Sequence, residues 1–309
     1  MDSEYSDSYD MYWGTLGTVR PYSNFYPDRD VTEIVTALEN KDTVTLLRIL
    51  TNRNNAQRQV IAQVFQALTH KDIITALKKA LSGDLELLLL ELLMPPWSMK
   101  LTGLGTDEET LAEILSTRSG KQLQSISAAY KEMYKKDLEK EIESETSNDF
   151  EKLLKALLHK GCVAGVVQTD IETLSASLKG KKAEAGQWID ILTSRDVEHL
   201  DNGVLMGLEL ELGQTVDQII EKRFSGDFRL GLKVLVQCIQ NRDAYLATRL
   251  KTMKKEIVQR IMVSHSEEDL LCIRAAFIKL TGTSLYTTLQ NHFKGDYLKA
   301  LLAICRSED

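Results

Sequence analysis

After roughly the first 25 positions, apolar residues recur three and four places apart along nearly the whole chain, the spacing that puts them on one stripe of an α-helix. The stretch from Thr106 to Gly161 shows the plan most clearly. Thr106 with Glu109 reads as a capping box for a helix whose apolar stripe is Leu111, Ile114 and Leu115, ending near Arg118 to Gly120. Leu123, Ile126, Tyr130 and Met133 mark a second helix, and Leu138 with Ile142 a short third. A fourth begins after Thr146 to Asn148, carries Phe150, Leu153, Leu154, Leu157 and Leu158 on one face, and is expected to stop at Gly161. The first 25 positions lack this period. Asp2, Glu4, Asp7 and Asp10 interleaved with Tyr5, Tyr9, Tyr12 and Tyr22 read as a solvated or loosely docked arm.

The helical plan repeats. R-I-L-T-N-R ending at Arg53 recurs as E-I-L-S-T-R ending at Arg118, D-I-L-T-S-R ending at Arg195 and R-I-M-V-S-H ending at His265. Each is followed by a second signature: S-G-D-L with Asp84, S-N-D-F with Asp149, S-G-D-F with Asp227 and K-G-D-Y with Asp296. The intervals between paired signatures, Arg53 to Asp84 and onward, are 31, 31, 32 and 31 residues, while successive copies are offset by 65, 77 and 70. Chance does not hold an inner spacing four times, so the chain is a fourfold tandem repeat. Its divisions are a tail at 1–25, repeats at 26–95 and 96–160, a linker with the third repeat at 161–240, and the fourth at 241–309. One copy is too thin to bury its apolar face alone, so the copies are expected to stack and share a core.

Composition agrees with an all-α fold. The 309 residues include only four prolines and few β-branched runs. The longest apolar block, Leu85 to Met94, is interrupted by Glu86 and Glu91 and falls far short of the ~20 residues that span a bilayer. A net charge of -7 disfavours nucleic acid as a partner, since phosphate contacts need a basic face. An acidic protein can still meet an acidic lipid surface through a divalent cation. The start of the chain has no secretory signature, which points to the cytoplasm. Cys162, Cys238, Cys272 and Cys305 show no C-x-x-C spacing and are expected to be buried thiols. No nucleophile, base and orienting group can be assembled, so no enzyme is expected. Arg53, Arg118 and Arg195 stand at helix ends, where pairing with a carboxylate or capping a C-terminus is favoured over anion binding.

Four repeats of this length, the I-L-T-x-R turn, a G-x-G-T-D loop opening a helix, and an acid about forty positions later resemble the annexin family. The likeness covers nearly the whole chain after the tail and is carried also by L-T-N-R-N-N-A-Q-R-Q, Y-K-E-M-Y-K-K-D-L-E-K, V-L-V-Q-C-I-Q-N and K-G-D-Y-L-K-A-L-L. The resemblance implies a curved disc of four repeats, each of about five helices, that attaches peripherally to acidic phospholipid when calcium is present. It implies no catalytic residues. Cys238 and Cys305 match positions that can pair in relatives; two free thiols is the other reading.

Calcium takes six to eight oxygens, often with one bidentate carboxylate. In the second repeat, L-T-G-L-G-T-D-E-E at Leu101 to Glu109 supplies the resemblance's ligand positions, the carbonyls of Leu101, Gly103 and Gly105, with Glu145 as the carboxylate. Positions left open would accept water or a lipid phosphate, with Lys100 and Leu104 beside them as candidates for headgroup contact. The bland alternative is a tight glycine turn into a capped helix. The stretch M-P-P-W-S-M-K-L-T after Leu93 is shorter than the family's usual first helix, so a truncated brace is expected there.

The other copies depart from the pattern. In the first, L-E-N-K-D-T-V-T at Leu38 to Thr45 lacks both glycines and Ala80 replaces the acid. In the third, L-K-G-K-K-A-E at Leu178 to Glu184 has Lys182 at the second glycine and Arg223 at the acid. In the fourth, M-K-K-E-I-V at Met253 to Val258 has lost the loop and His292 stands for the acid. One calcium site and reduced calcium dependence follow as the first expectation; a calcium-independent interaction scaffold is the alternative.

Overall fold

The computed structural model describes residues 16–95 and 107–306, and among them every regular element is a helix. The first repeat is α1 (Pro27–Asn40), α2 (Thr43–Thr51), α3 (Asn55–Thr69), α4 (Ile73–Ala80) and α5 (Gly83–Leu93). The second shows α6 (Glu108–Thr117), α7 (Gly120–Tyr134), α8 (Leu138–Glu145) and α9 (Asn148–Leu158). The truncated helix expected before them lies outside the described residues. The third contains α10 (Val167–Ser177), α11 (Ala185–Ser194), a π-helical turn (His199–Leu205) running into α12 (Met206–Leu212), and α13 (Val216–Arg223).

One continuous run, α14 (Gly226–Lys251), then crosses into the fourth repeat but breaks at Asn241, where φ is -162° and ψ 91°. The Asn241 side chain accepts from the Ala244 amide at 2.9 Å, the capping bond of a new helix start, so α14 is two helices end to end. The fourth repeat continues with α15 (Lys255–His265), α16 (Leu270–Thr281), α17 (Leu285–His292) and α18 (Gly295–Cys305).

Compactness groups the repeats in pairs. Among the described residues, one unit comprises 16–95 and 246–306, the other 107–245. In the first, α18 packs on α2 and α5, and α15 on α5. Ile34, Leu46, Ile49, Leu50, Ile61, Leu88, Leu301 and Ile304 are fully buried there. In the second, α9 packs on α6 and α11, around Leu115, Leu123, Leu153, Leu154, Leu157 and Trp188. Each such side chain taken from water contributes about 1.5–3 kcal/mol, so these stripes are the main force holding each pair.

Local details correct the sequence expectations in three places. The cap of α6 is Asp107, whose carboxylate accepts from the Thr110 amide at 2.7 Å and its hydroxyl at 2.9 Å; Thr106 is outside the described residues. Met133, expected on the apolar stripe of α7, is exposed, and α9 stops at Leu158 rather than Gly161. The arm is docked from Leu16 onward: Thr18 and Val19 donate to the Ser266 carbonyl, and the Leu271 amide donates to that of Leu16.

Candidate metal site and its equivalents

Ala80, Glu145, Arg223 and His292 are the last residues of α4, α8, α13 and α17, in each repeat the helix just before its second signature. The residue after each helix, Leu81, Thr146, Phe224 or Phe293, is extended and returns its amide to the helix four positions back. The four positions are therefore structurally equivalent, and their chemistry can be compared directly.

In the second repeat, Leu101, Gly103 and Gly105 lie outside the described residues, as do Lys100 and Leu104; the structure places Glu145. α8 carries four glutamates after its Asp137 cap. Glu139 meets His159 at 3.0 Å, Glu141 meets Lys136 at 3.0 Å, and Glu143 pairs with Lys155. Glu145 is exposed and closes no hydrogen bond or ion pair among the described residues. Its charge only adds to the field of Glu141, whose hydrogen bond chiefly raises the Lys136 pKa. An uncommitted carboxylate at a helix end is the donor a hard cation takes, so the described half of the site fits calcium.

The first and fourth repeats leave no room for such a cage. Only Lys41 and Asp42 separate α1 from α2, and the Asp42 carboxylate is spent on the amide and hydroxyl of Thr45. Three residues, Thr252 to Lys254, separate α14 from α15, and the exposed His292 ring bonds the Thr288 carbonyl at 2.9 Å.

The third repeat keeps a long loop between α10 and α11. Its ends are tied by the Glu184 amide donating to the Ser177 carbonyl at 3.1 Å. Arg223 donates through one terminal nitrogen to the carbonyls of Leu178 and Gly180, each at 2.7 Å. These match Leu101 and Gly103 of the second repeat. The sequence placed Arg223 only at the position of the acid; the structure shows it bonded to two carbonyls of the loop that follows α10.

Arg53 and Arg195 each pair with a carboxylate inside their own repeat. Arg53 makes a two-pronged pair with Asp30 at 2.7 and 2.8 Å, both side chains buried, and its guanidinium lies 3.9 Å from the centre of the Tyr22 ring. Arg195 grips Asp170 the same way at 2.9 and 3.0 Å, with His199 adding a third contact at 2.8 Å. In the second repeat the Arg118 carbonyl, with those of Leu115 and Ser116, receives the Lys160 ammonium at 2.9–3.1 Å, which caps α6. Burial pushes the Lys160 pKa down to about 8.

The fourth repeat substitutes buried His265, paired with Asp269 at 2.7 Å. Glu268 brings a third possible ligand within 4.8 Å of both, a cluster the sequence reading missed because only the fold turns Glu268 and Asp269 back on His265. Cys238 and Cys305 each remain a buried thiol, and burial raises Cys238 to about 12. Cys162, contrary to expectation, is exposed, and Cys272 is half-buried.

The comparisons agree with this architecture. The family model described as Annexin matches residues 30–92, 98–157 and 245–304, leaving the third repeat unmatched. Mouse (Mus musculus) annexin A9 is 36% identical over 318 residues, covering 96% of this chain and 92% of the relative. The solved structure of annexin III superposes with a TM-score of 0.91 at 34% identity, covering 96% of this chain and 98% of that one. A chicken annexin V in complex with zinc superposes at 0.85 with 36% identity, covering 94% of this chain and 98% of that one.

Proposed function

The chain belongs to the annexin family, and from that premise we propose that it is a peripheral phospholipid-binding protein with a single calcium site in its second repeat. The carbonyls of Leu101, Gly103 and Gly105 and the carboxylate of Glu145 are the ligands. An acidic membrane surface completes the coordination. The proposal includes no catalytic step and no nucleic-acid partner, and it places the protein in the cytoplasm, attached to membranes from that side. Among the described residues no helix is long and apolar enough to cross a membrane.

The observation that carries this reading is the chemistry at four equivalent helix ends. Only Glu145 is an acid, and it is exposed and uncommitted while its neighbours in α8 are paired. Calcium should lend the chain ionic attachment through one site rather than four, which is the physical content of reduced calcium dependence.

The second reading, a scaffold that keeps the fold without the membrane switch, is favoured by Ala80, Arg223 and His292. Sedimentation with vesicles of phosphatidylcholine and phosphatidylserine, in calcium and in chelator, separates the two. Calcium should increase pelleting of the native chain, and Glu145→Ala should lose that increment. Equal pelleting of both proteins with and without calcium would remove the calcium site.

A further inference from the structure

We propose that Arg223 takes the place of a bound cation in the third repeat and holds Leu178 to Glu184 as a preformed basic turn that contacts an acidic phospholipid surface without calcium. The proposal rests on the membrane reading above but concerns a different loop. Two carbonyls that converge at 2.7 Å on one positive group reproduce what a calcium ion asks of a glycine loop. Here the positive group is covalently part of the chain, so occupancy needs no free ion.

The base of the guanidinium is fixed. Phe224, next in sequence, packs edge-on against fully buried Trp188 at 5.5 Å and against Phe228 at 5.2 Å. The Trp188 indole donates to Ser177 at 3.0 Å, tying the same aromatic cluster to the start of the loop. Gly180 has its own role: a Cβ there would stand 3.1 Å from the Lys182 carbonyl oxygen, so the turn is tight.

What this brace displays is Lys179, Lys181 and Lys182, all exposed, with Glu184 the only acid in the loop. No carboxylate pairs with Arg223 among the described residues, so its charge adds to theirs. On a chain of net charge -7 this is a local reversal of sign. Positive charge near an anionic leaflet attracts without needing a shaped pocket, each residue strengthening binding about fivefold.

The test is vesicle sedimentation in chelator, with phosphatidylcholine alone and with added phosphatidylserine. The native chain should pellet only with the acidic vesicles. K179Q/K181Q/K182Q should weaken that binding about 100-fold, on the same per-residue attraction. Arg223→Gln, which keeps all three lysines, should weaken it less and should speed amide exchange between Lys179 and Glu184.

Native protein that pellets only when calcium is added would overturn this inference and leave the calcium site standing. No pelleting in either condition would remove the membrane reading itself. Triple-variant binding equal to native, or unchanged loop exchange in Arg223→Gln, would overturn the role of the turn. Inorganic phosphate that strips the protein from vesicles better than chloride of equal ionic strength would show a discrete phosphate site instead of a surface contact.

Discussion

Asp170 joins α10 to the residues that follow α11, holding Arg195 with two oxygens and His199 with one. The approach is close enough that a Cβ on Gly165 would lie 2.2 Å from the Arg195 Nε. The Arg195 hydrogen bond, then that of His199, holds the Asp170 carboxyl below the usual carboxylate range against the opposing effect of burial. An unfolded aspartate titrates at about 3.9. The stabilisation is therefore fully present above about pH 4 and is lost as pH falls through the lower folded value. Asp170→Asn should cost about 3 kcal/mol at neutral pH, because it leaves Arg195 without its charge partner. The difference from native should shrink as urea midpoints are followed from about pH 6 down to about pH 3. A constant difference would assign the cost to packing instead. The sequence reading gave Arg195 either a carboxylate partner or a capping role; it did not name Asp170, because a partner 25 residues upstream becomes a neighbour only when two helices pack.

At the scale of elements, the turn into the last helix of each repeat explains the second signature. Gly83, Gly226 and Gly295 have φ between 65° and 67°, and Asn148 holds the same position at 58°. A Cβ on any of these three glycines would meet nothing within 4 Å, so they are present for backbone conformation and not for space. Asparagine tolerates the left-handed region better than other L-residues but less well than glycine. Asn148→Gly should raise the unfolding free energy measured by urea titration by about 0.5–1 kcal/mol, and Asn148→Val should lower it by about 1–2 kcal/mol. If the two variants moved together, conformational strain would not be the cause. These turns were legible as a repeated S-G-D, as were most helices. The cap of α6 was misread because T-D-E-E-T offers two neighbouring residues able to cap, Thr106 and Asp107. Only geometry shows that the Asp107 carboxylate takes the Thr110 amide and hydroxyl together.

At the scale of the molecule, the fourfold repeat was plain in the sequence, but the pairing of repeats within compact units was not. Which apolar faces meet depends on surfaces far apart in sequence, and every copy carries a similar stripe. The loss of acids was legible by alignment of the copies; the bonds Arg223 makes to the Leu178 and Gly180 carbonyls were not, since no spacing rule states where a guanidinium will point. Three of the four equivalent helix ends thus differ from Glu145 in different ways: a two-residue connection opposite Ala80, a guanidinium bonded to loop carbonyls at Arg223, and a ring bonded to its own helix at His292. If the second repeat alone binds calcium, the ion's contribution to folding stability must follow one-site linkage, RT ln(1 + [L]/Kd), about 2.7 kcal/mol at a hundred times Kd. Thermal unfolding over a calcium series should give that single-site curve for the native chain, and titration calorimetry should count one ion. Glu145→Ala should flatten the curve, while Arg223→Gln, which frees two carbonyls but restores no carboxylate, should leave it unchanged. A steeper, multi-site dependence in the native chain would show that calcium also enters a repeat whose acid is gone.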